Sequence, residues 1–165
     1  MPDIALQKVD HSALRVNQSF IIGLLLAAFI SDAVVNTVWL VALVTLVMAY
    51  GAARRQPGFK IFYTGLLRPR GWVKPDVLND NPEPHVFAQG FGAVVLGGAV
   101  LAFVFGASWL GWALVWLVIA LAALNLFVGF CAGCLVYYWL NRLHLPGFVK
   151  SPPPGTFPGM KPKGS

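Results

Sequence analysis

Residues Trp109 to Leu143 read WLGWALVWLVIALAALNLFVGFCAGCLVYYWLNRL. The thirty residues from Trp109 to Tyr138 carry no formal charge, and Asn125 is their one strongly polar side chain. A transmembrane helix needs about 20 apolar residues, so this run predicts a long membrane-spanning helix. Trp109 and Trp112 would mark the outer interface, and Tyr137, Tyr138 and Trp139 the inner aromatic belt. Cys131 lies 19–22 residues beyond those tryptophans. At about 1.5 Å per residue that is roughly 28–33 Å, which puts Cys131-Ala132-Gly133-Cys134 at the far edge of the hydrocarbon.

Outward from this stretch the chain keeps the same character. Of its 165 residues 58% are hydrophobic and 11% charged, against about 25% charged in soluble domains. The apolar residues come in blocks rather than amphipathic stripes, which favours one polytopic membrane domain. The net charge of +6 does not point to nucleic acid. The basic residues lie between and beyond the apolar blocks, where the positive-inside rule puts them.

The chain is expected to be all-α, with four transmembrane helices at about 17–31, 33–53, 86–105 and 109–141. Residues 1–148 would form this domain and 149–165 a Pro/Gly-rich extended or disordered tail. Met1–Val16 mixes charged and apolar residues and reads as an interfacial helix. Phe20–Ile30 invites a signal-peptide reading, but no convincing small-x-small cleavage site follows, so the segment is expected to stay as a membrane helix. Ser31-Asp32 breaks the first block, with Asn36 also near the hairpin tip. Gln56–His85, with five prolines, reads as mostly irregular, and Phe59–Leu67 as lying on the membrane surface. Four helices put both termini and nearly every Lys and Arg on one side, which is then cytoplasmic. A three-helix alternative, with Ile21–Ala53 as one bent span, scatters the basic residues.

Cys131 and Cys134, the only cysteines, would share one helix face. Such a pair cycles between dithiol and disulfide, carries a persulfide, or ligates a soft metal. A permanent disulfide is not expected in a reducing cytosol. Packing is the competing reading, because cysteine packs well in apolar helices and Gly129 and Gly133 form a Gly-x-x-x-Gly pair. Asn79-Asp80-Asn81-Pro82-Glu83-Pro84-His85 lies on the same expected side. His85 would tune a thiolate, with Glu83 and Gln89 in support; turn and helix-start chemistry explains the same residues. His11 and His144 also fall on that side. No histidine lies deep in an apolar block, no chain of intramembrane carboxylates exists, and no cofactor-binding motif is identified.

Arg15-Val16-Asn17-Gln18, Asn81-Pro82-Glu83-Pro84-His85 through Phe87-Ala88-Gln89, and the Cys-x-x-Cys followed by Tyr137 resemble a bacterial membrane family, domain of unknown function 4395. The likeness covers roughly residues 8–148. It implies a small multi-pass protein of the inner membrane and, through its cysteines, thiol or sulfur chemistry. The reading that follows is a cytoplasm-facing thiol protein exchanging electrons or sulfur with a thioredoxin- or sulfurtransferase-like partner. A non-catalytic subunit of a larger membrane complex, docked through glycine-rich helices and the tail, is the alternative. A small transporter or a metal-binding protein ranks third.

Overall fold

A computed structural model describes residues 6–35 and 38–162. Asn36 of the expected hairpin tip lies outside these, as do Asp3 and Ile4 near the start and Lys163–Ser165 of the tail. The elements are β1 (Gln7–Asp10), α1 (His11–Val35), α2 (Trp39–Ala53), α3 (Lys60–Phe62, continued by a π turn at Tyr63–Leu67), β2 (Val77–Asp80), α4 (Pro82–Val104), α5 (Ser108–Ala123, continued by a π turn at Leu124–Val128) and α6 (Ala132–Arg142).

Three helical stretches are long and apolar enough to cross a membrane: His11–Val34, Pro82–Val104 and Ser108–Val128. α2 is apolar but has only 15 residues, about 22 Å of helix. The four main helices pack in the ring order α1–α2–α4–α5. Their shared core is small and branched: Leu25, Ala28, Val41, Val44, Leu96, Ala99 and Val115 are almost fully enclosed. The outward faces are as apolar as the core, with Leu46, Val94, Leu101, Val104 and Trp109 all strongly exposed. Hydrophobic residues all round a helix suit an apolar solvent.

The N-terminal segment differs from the interfacial helix expected of it. Gln7–Asp10 pairs antiparallel with β2, Gln7 opposite Asp80 and Asp10 opposite Val77. α1 then starts at once, because Asp10 accepts the Ser12 backbone N–H at 3.0 Å, as an N-capping aspartate does. The same carboxylate accepts the Asp76 N–H (3.2 Å) and the Tyr63 hydroxyl (2.7 Å). One side chain thereby ties the 56–76 connection to the start of α1.

Ser31-Asp32 does not end α1. Ser31 bonds back to the Ala28 carbonyl, and Asp32 accepts the Trp112 indole N–H at 3.1 Å, so the helix runs on to Val35. The expected single helix over 109–141 breaks instead. After the π turn, Gly129 takes a left-handed φ of 72° and Cys131 is extended, so α6 starts afresh and folds against α4. Its contact with α4 is close: a Cβ on Gly133 would lie 2.5 Å from that of Ala88. Of the α4 glycines, Gly90 faces Ala52, Gly92 faces Met48 and Gly98 faces Leu114, while Gly97 has open space beside it. The tail is extended but docked. Asn81 and Asn141 donate to the Ser151 and Lys150 carbonyls, and Met160 bridges to Phe130.

Gly133→Val is expected to overpack the α4–α6 contact and cost about 1–3 kcal/mol, read as a lower melting temperature in detergent. Gly97→Ala, whose added methyl meets nothing within 4 Å, should stay within about 1 kcal/mol of the parent or gain slightly.

Candidate functional site

The strand pair, the first turns of α1 and α4, and the α5–α6 break meet at one end of the bundle. β2 delivers Asp80, and Asn81 donates its backbone N–H to that carboxylate at 2.8 Å. Pro82 then opens α4, as proline does at a first helical position, which sets His85 in the first turns facing back toward Asp80. β1 ends where His11 starts α1, its N–H donating to the Asp76 carbonyl at 2.8 Å, and from there its side chain reaches the same carboxylate.

Asp80 Oδ2 lies 2.9 Å from His85 Nε2 and 3.1 Å from His11 Nε2. The His11 approach is oblique, leaving its Nε2 without a well-directed hydrogen bond. The two rings meet edge to face, 5.7 Å apart. Asp80 is 4% exposed. Its burial pushes the carboxyl pKa up, but the two imidazoles and the Asn81 N–H more than offset this. The net result is a carboxyl well below its usual range and ionised in the folded protein.

The other nitrogen of His85, Nδ1, lies 3.5 Å from Cys134 Sγ. Cys131 and Cys134 are joined as a disulfide, with both residues buried. Cys131 stands at the N-cap of α6, and its sulfur accepts the Cys134 backbone N–H at 3.2 Å. The pair therefore lies at a helix N-terminus and not along one helix face. There the backbone N–H groups and helix dipole favour a thiolate. Phe87, Tyr137 and Phe148 pack beneath the sulfurs. The tail closes the other side: Cys131 N–H donates to the Gly159 carbonyl (2.7 Å), and Lys161 N–H to the Gly129 carbonyl (2.9 Å). Lys161 also forms an ion pair with Asp76.

Of the residues expected from sequence, Cys131, Cys134 and His85 come together. Glu83 and Gln89 do not join them. Glu83 faces Lys150 at 3.9 Å. Gln89 donates to the Met48 and Gln56 carbonyls and accepts from Gly58 N–H and Asn17, while Asn17 accepts the Phe59 N–H. That amide pair locks α1, α2 and α4 together and makes no hydrogen bond to sulfur among the described residues. The carboxylate that serves the site is Asp80, and its second imidazole is His11. The link between them is a strand pairing some seventy positions apart in sequence.

Two groupings have metal-binding composition: His85 with both cysteines, and His11, Asp80 and His85. They share His85. The sulfurs offer thiolates only when the disulfide is reduced, so the first set exists only in the dithiol form.

A family model matches residues 9–142. The chain belongs to the family described as a domain of unknown function (DUF4395). No curated protein and no solved structure matches it. The matched DUF4395 span contains His11, Asp80, His85 and both cysteines. The tail that covers them, from Leu143 onward, lies outside the match.

Asp80→Asn tests the buried charge. A carboxyl held below its unfolded value of about 3.9 stabilises the fold above that value, and the stabilisation is lost as pH falls toward the folded pKa. The parent should therefore lose stability on acidification below about pH 4. The variant should show a shallower acid slope and, at neutral pH, a loss of about 1–3 kcal/mol. Thermal unfolding across that pH range reads both.

Proposed function

We propose that this chain is a multi-pass inner-membrane protein that exchanges electrons or sulfur through Cys131 and Cys134. In this reading α2 is a fourth, short span, both termini are cytoplasmic, and the cysteine site faces the cytoplasm. The distribution of charge supports that orientation. Every described Lys and Arg falls at the strand-pair end of the bundle, whereas the opposite end carries only Asp32.

The contact between His85 Nδ1 and Cys134 Sγ carries the chemical reading. With Nε2–H donated to Asp80, Nδ1 is a base aimed at the Cys134 sulfur. Once protonated, the ring is an imidazolium held between a carboxylate and a sulfur. Reduction then proceeds by thiol–disulfide exchange. A thiolate of a thioredoxin-like dithiol attacks Cys131 Sγ, the S–S bond breaks, and the electron pair leaves on Cys134. His85 supplies its Nδ1 proton to that thiolate. The partner's second thiol attacks the mixed disulfide and releases Cys131, so the partner is oxidised and the chain reduced. In the reduced form, the Cys131 thiolate would instead attack the outer sulfur of a sulfurtransferase persulfide, whose S–S bond breaks and whose cysteine leaves as a thiolate.

Partner trapping tests this order. Cys134→Ser, which leaves Cys131 with no resolving thiol, is expected to accumulate a reductant-sensitive adduct with a thioredoxin-like protein. Cys131→Ser should accumulate far less. His85→Ala should slow exchange by about 100-fold or more, the range of a lost proton-transfer group. Equal trapping by both serine variants, or an unaltered rate in His85→Ala, would contradict the assignment of roles.

A further inference from the structure

Two cavities meet at the cysteine pair. A polar recess of about 320 Å³ fronts both sulfurs and is walled by His11, Arg15, Asp80 and Lys161. A narrower apolar cleft of about 90 Å³ runs from Cys131 between α1, α4 and α5, past Val95 and Val118. Leu14, Gln18, His85, Asn125 and Cys131 line both. Val95 is ten residues beyond His85 on α4, so the cleft follows that helix for about 15 Å, into the segment long and apolar enough to cross a membrane.

The polar groups at the junction are unusual for an apolar bundle. Gln18 and Asn125 are half-buried, and neither side chain hydrogen-bonds to protein among the described residues. The neighbouring Asn17 and Gln89 contrast with them, being committed to each other and to backbone groups. With their amides uncommitted to protein and lining the junction, Gln18 and Asn125 can both donate to and accept from a ligand seated there. No Asp, Glu, Lys or Arg lines the apolar cleft, so the part of a ligand that lies in it is uncharged. What fits is an uncharged molecule with an apolar body and carbonyl or hydroxyl oxygens at one end.

We infer that the site takes a lipid-soluble quinone. Its ring lies at the Gln18–Asn125 junction, in the wider recess beside Cys131, and its chain threads the apolar cleft. This rests on the thiol–disulfide reading above and supplies that cycle with its electron acceptor. The two reactants use the recess in turn: the partner dithiol reduces the pair and leaves, and the quinone, its chain held in the bundle-side cleft, then reoxidises it. In that second step the Cys131 and Cys134 thiols together lose two electrons and two protons as the S–S bond forms. The two quinone carbonyls gain the same electrons and protons and become the hydroxyls of a quinol. Gln18 and Asn125 bind and orient the ring, and His85 holds the proton released at Cys134.

The test uses the full chain in nanodiscs, reduced, freed of reductant and kept without oxygen. Decylubiquinone and menadione are added separately, as benzoquinone and naphthoquinone probes. Quinone absorbance and free thiols are followed together. The expected result is one quinone consumed per disulfide formed, with a rate that saturates in at least one of the probes. Asn125→Leu and Gln18→Leu should each raise the half-saturating concentration about tenfold, the effect of losing one such hydrogen bond. A wild-type pair that exchanges with thioredoxin but reduces neither quinone would overturn the quinone assignment and leave the thiol reading standing. Unchanged half-saturation in both variants would overturn the placement of the ring. A pair inert toward thioredoxin and both quinones would remove the thiol reading itself.

Discussion

The buried carboxylate of Asp80 is the constraint on which the rest of this end of the molecule depends. An ionised carboxyl away from water is tolerated only when paired and hydrogen-bonded. Here the compensation comes from His11 at the start of α1, His85 in the first turns of α4 and the Asn81 backbone. Three segments distant in sequence must converge for that charge to be accommodated. The same bond fixes the His85 ring, so its other nitrogen has one orientation, toward Cys134. A device that stabilises the fold thereby also fixes which nitrogen faces the sulfur, as outer-shell carboxylates do for histidines elsewhere.

A second constraint is the break between α5 and α6. A continuous helix would bury the cysteine side chains among packed neighbours and leave no backbone N–H free to face them. The π turn and the left-handed Gly129 end one helix and start another, giving the sulfurs a helix N-terminus. The tail then supplies the carbonyl of Gly159 to the otherwise unpaired Cys131 N–H. Gly159, itself at a φ of 87°, passes so close that a Cβ would lie 2.9 Å from the Cys131 carbonyl oxygen. The segment outside the family match thus completes the wall around the sulfurs.

The apolar blocks were legible because an uncharged run of that length has few other uses, and Pro82 announced the start of α4 through its missing N–H. His85 and the cysteines were legible as chemistry-bearing types in the right segments. Asp80 stood in the same short stretch as Glu83, and only the strand register decides which carboxylate turns inward. His11 carried no local signal, since its role comes from pairing between residues 7–10 and 77–80. Gly129 was ambiguous for a physical reason: the spacing Gly129–Gly133 that permits close helix packing is also compatible with a helix end. The tail's Pro/Gly composition reads as disorder because its anchors are backbone groups and two distant asparagines, which composition does not reveal. An amide one turn from a histidine can as well serve packing as chemistry, and here Gln89 bonds Asn17 and backbone groups.

The central claim is that the disulfide is reactive and faces the cytoplasm. Labelling with a membrane-impermeant maleimide, in intact cells and in inverted inner-membrane vesicles, tests both parts at once. The account predicts a mass shift of both cysteines only in inverted vesicles and only after reduction. Labelling from the outer face, or no labelling from either side even after reduction, would contradict it.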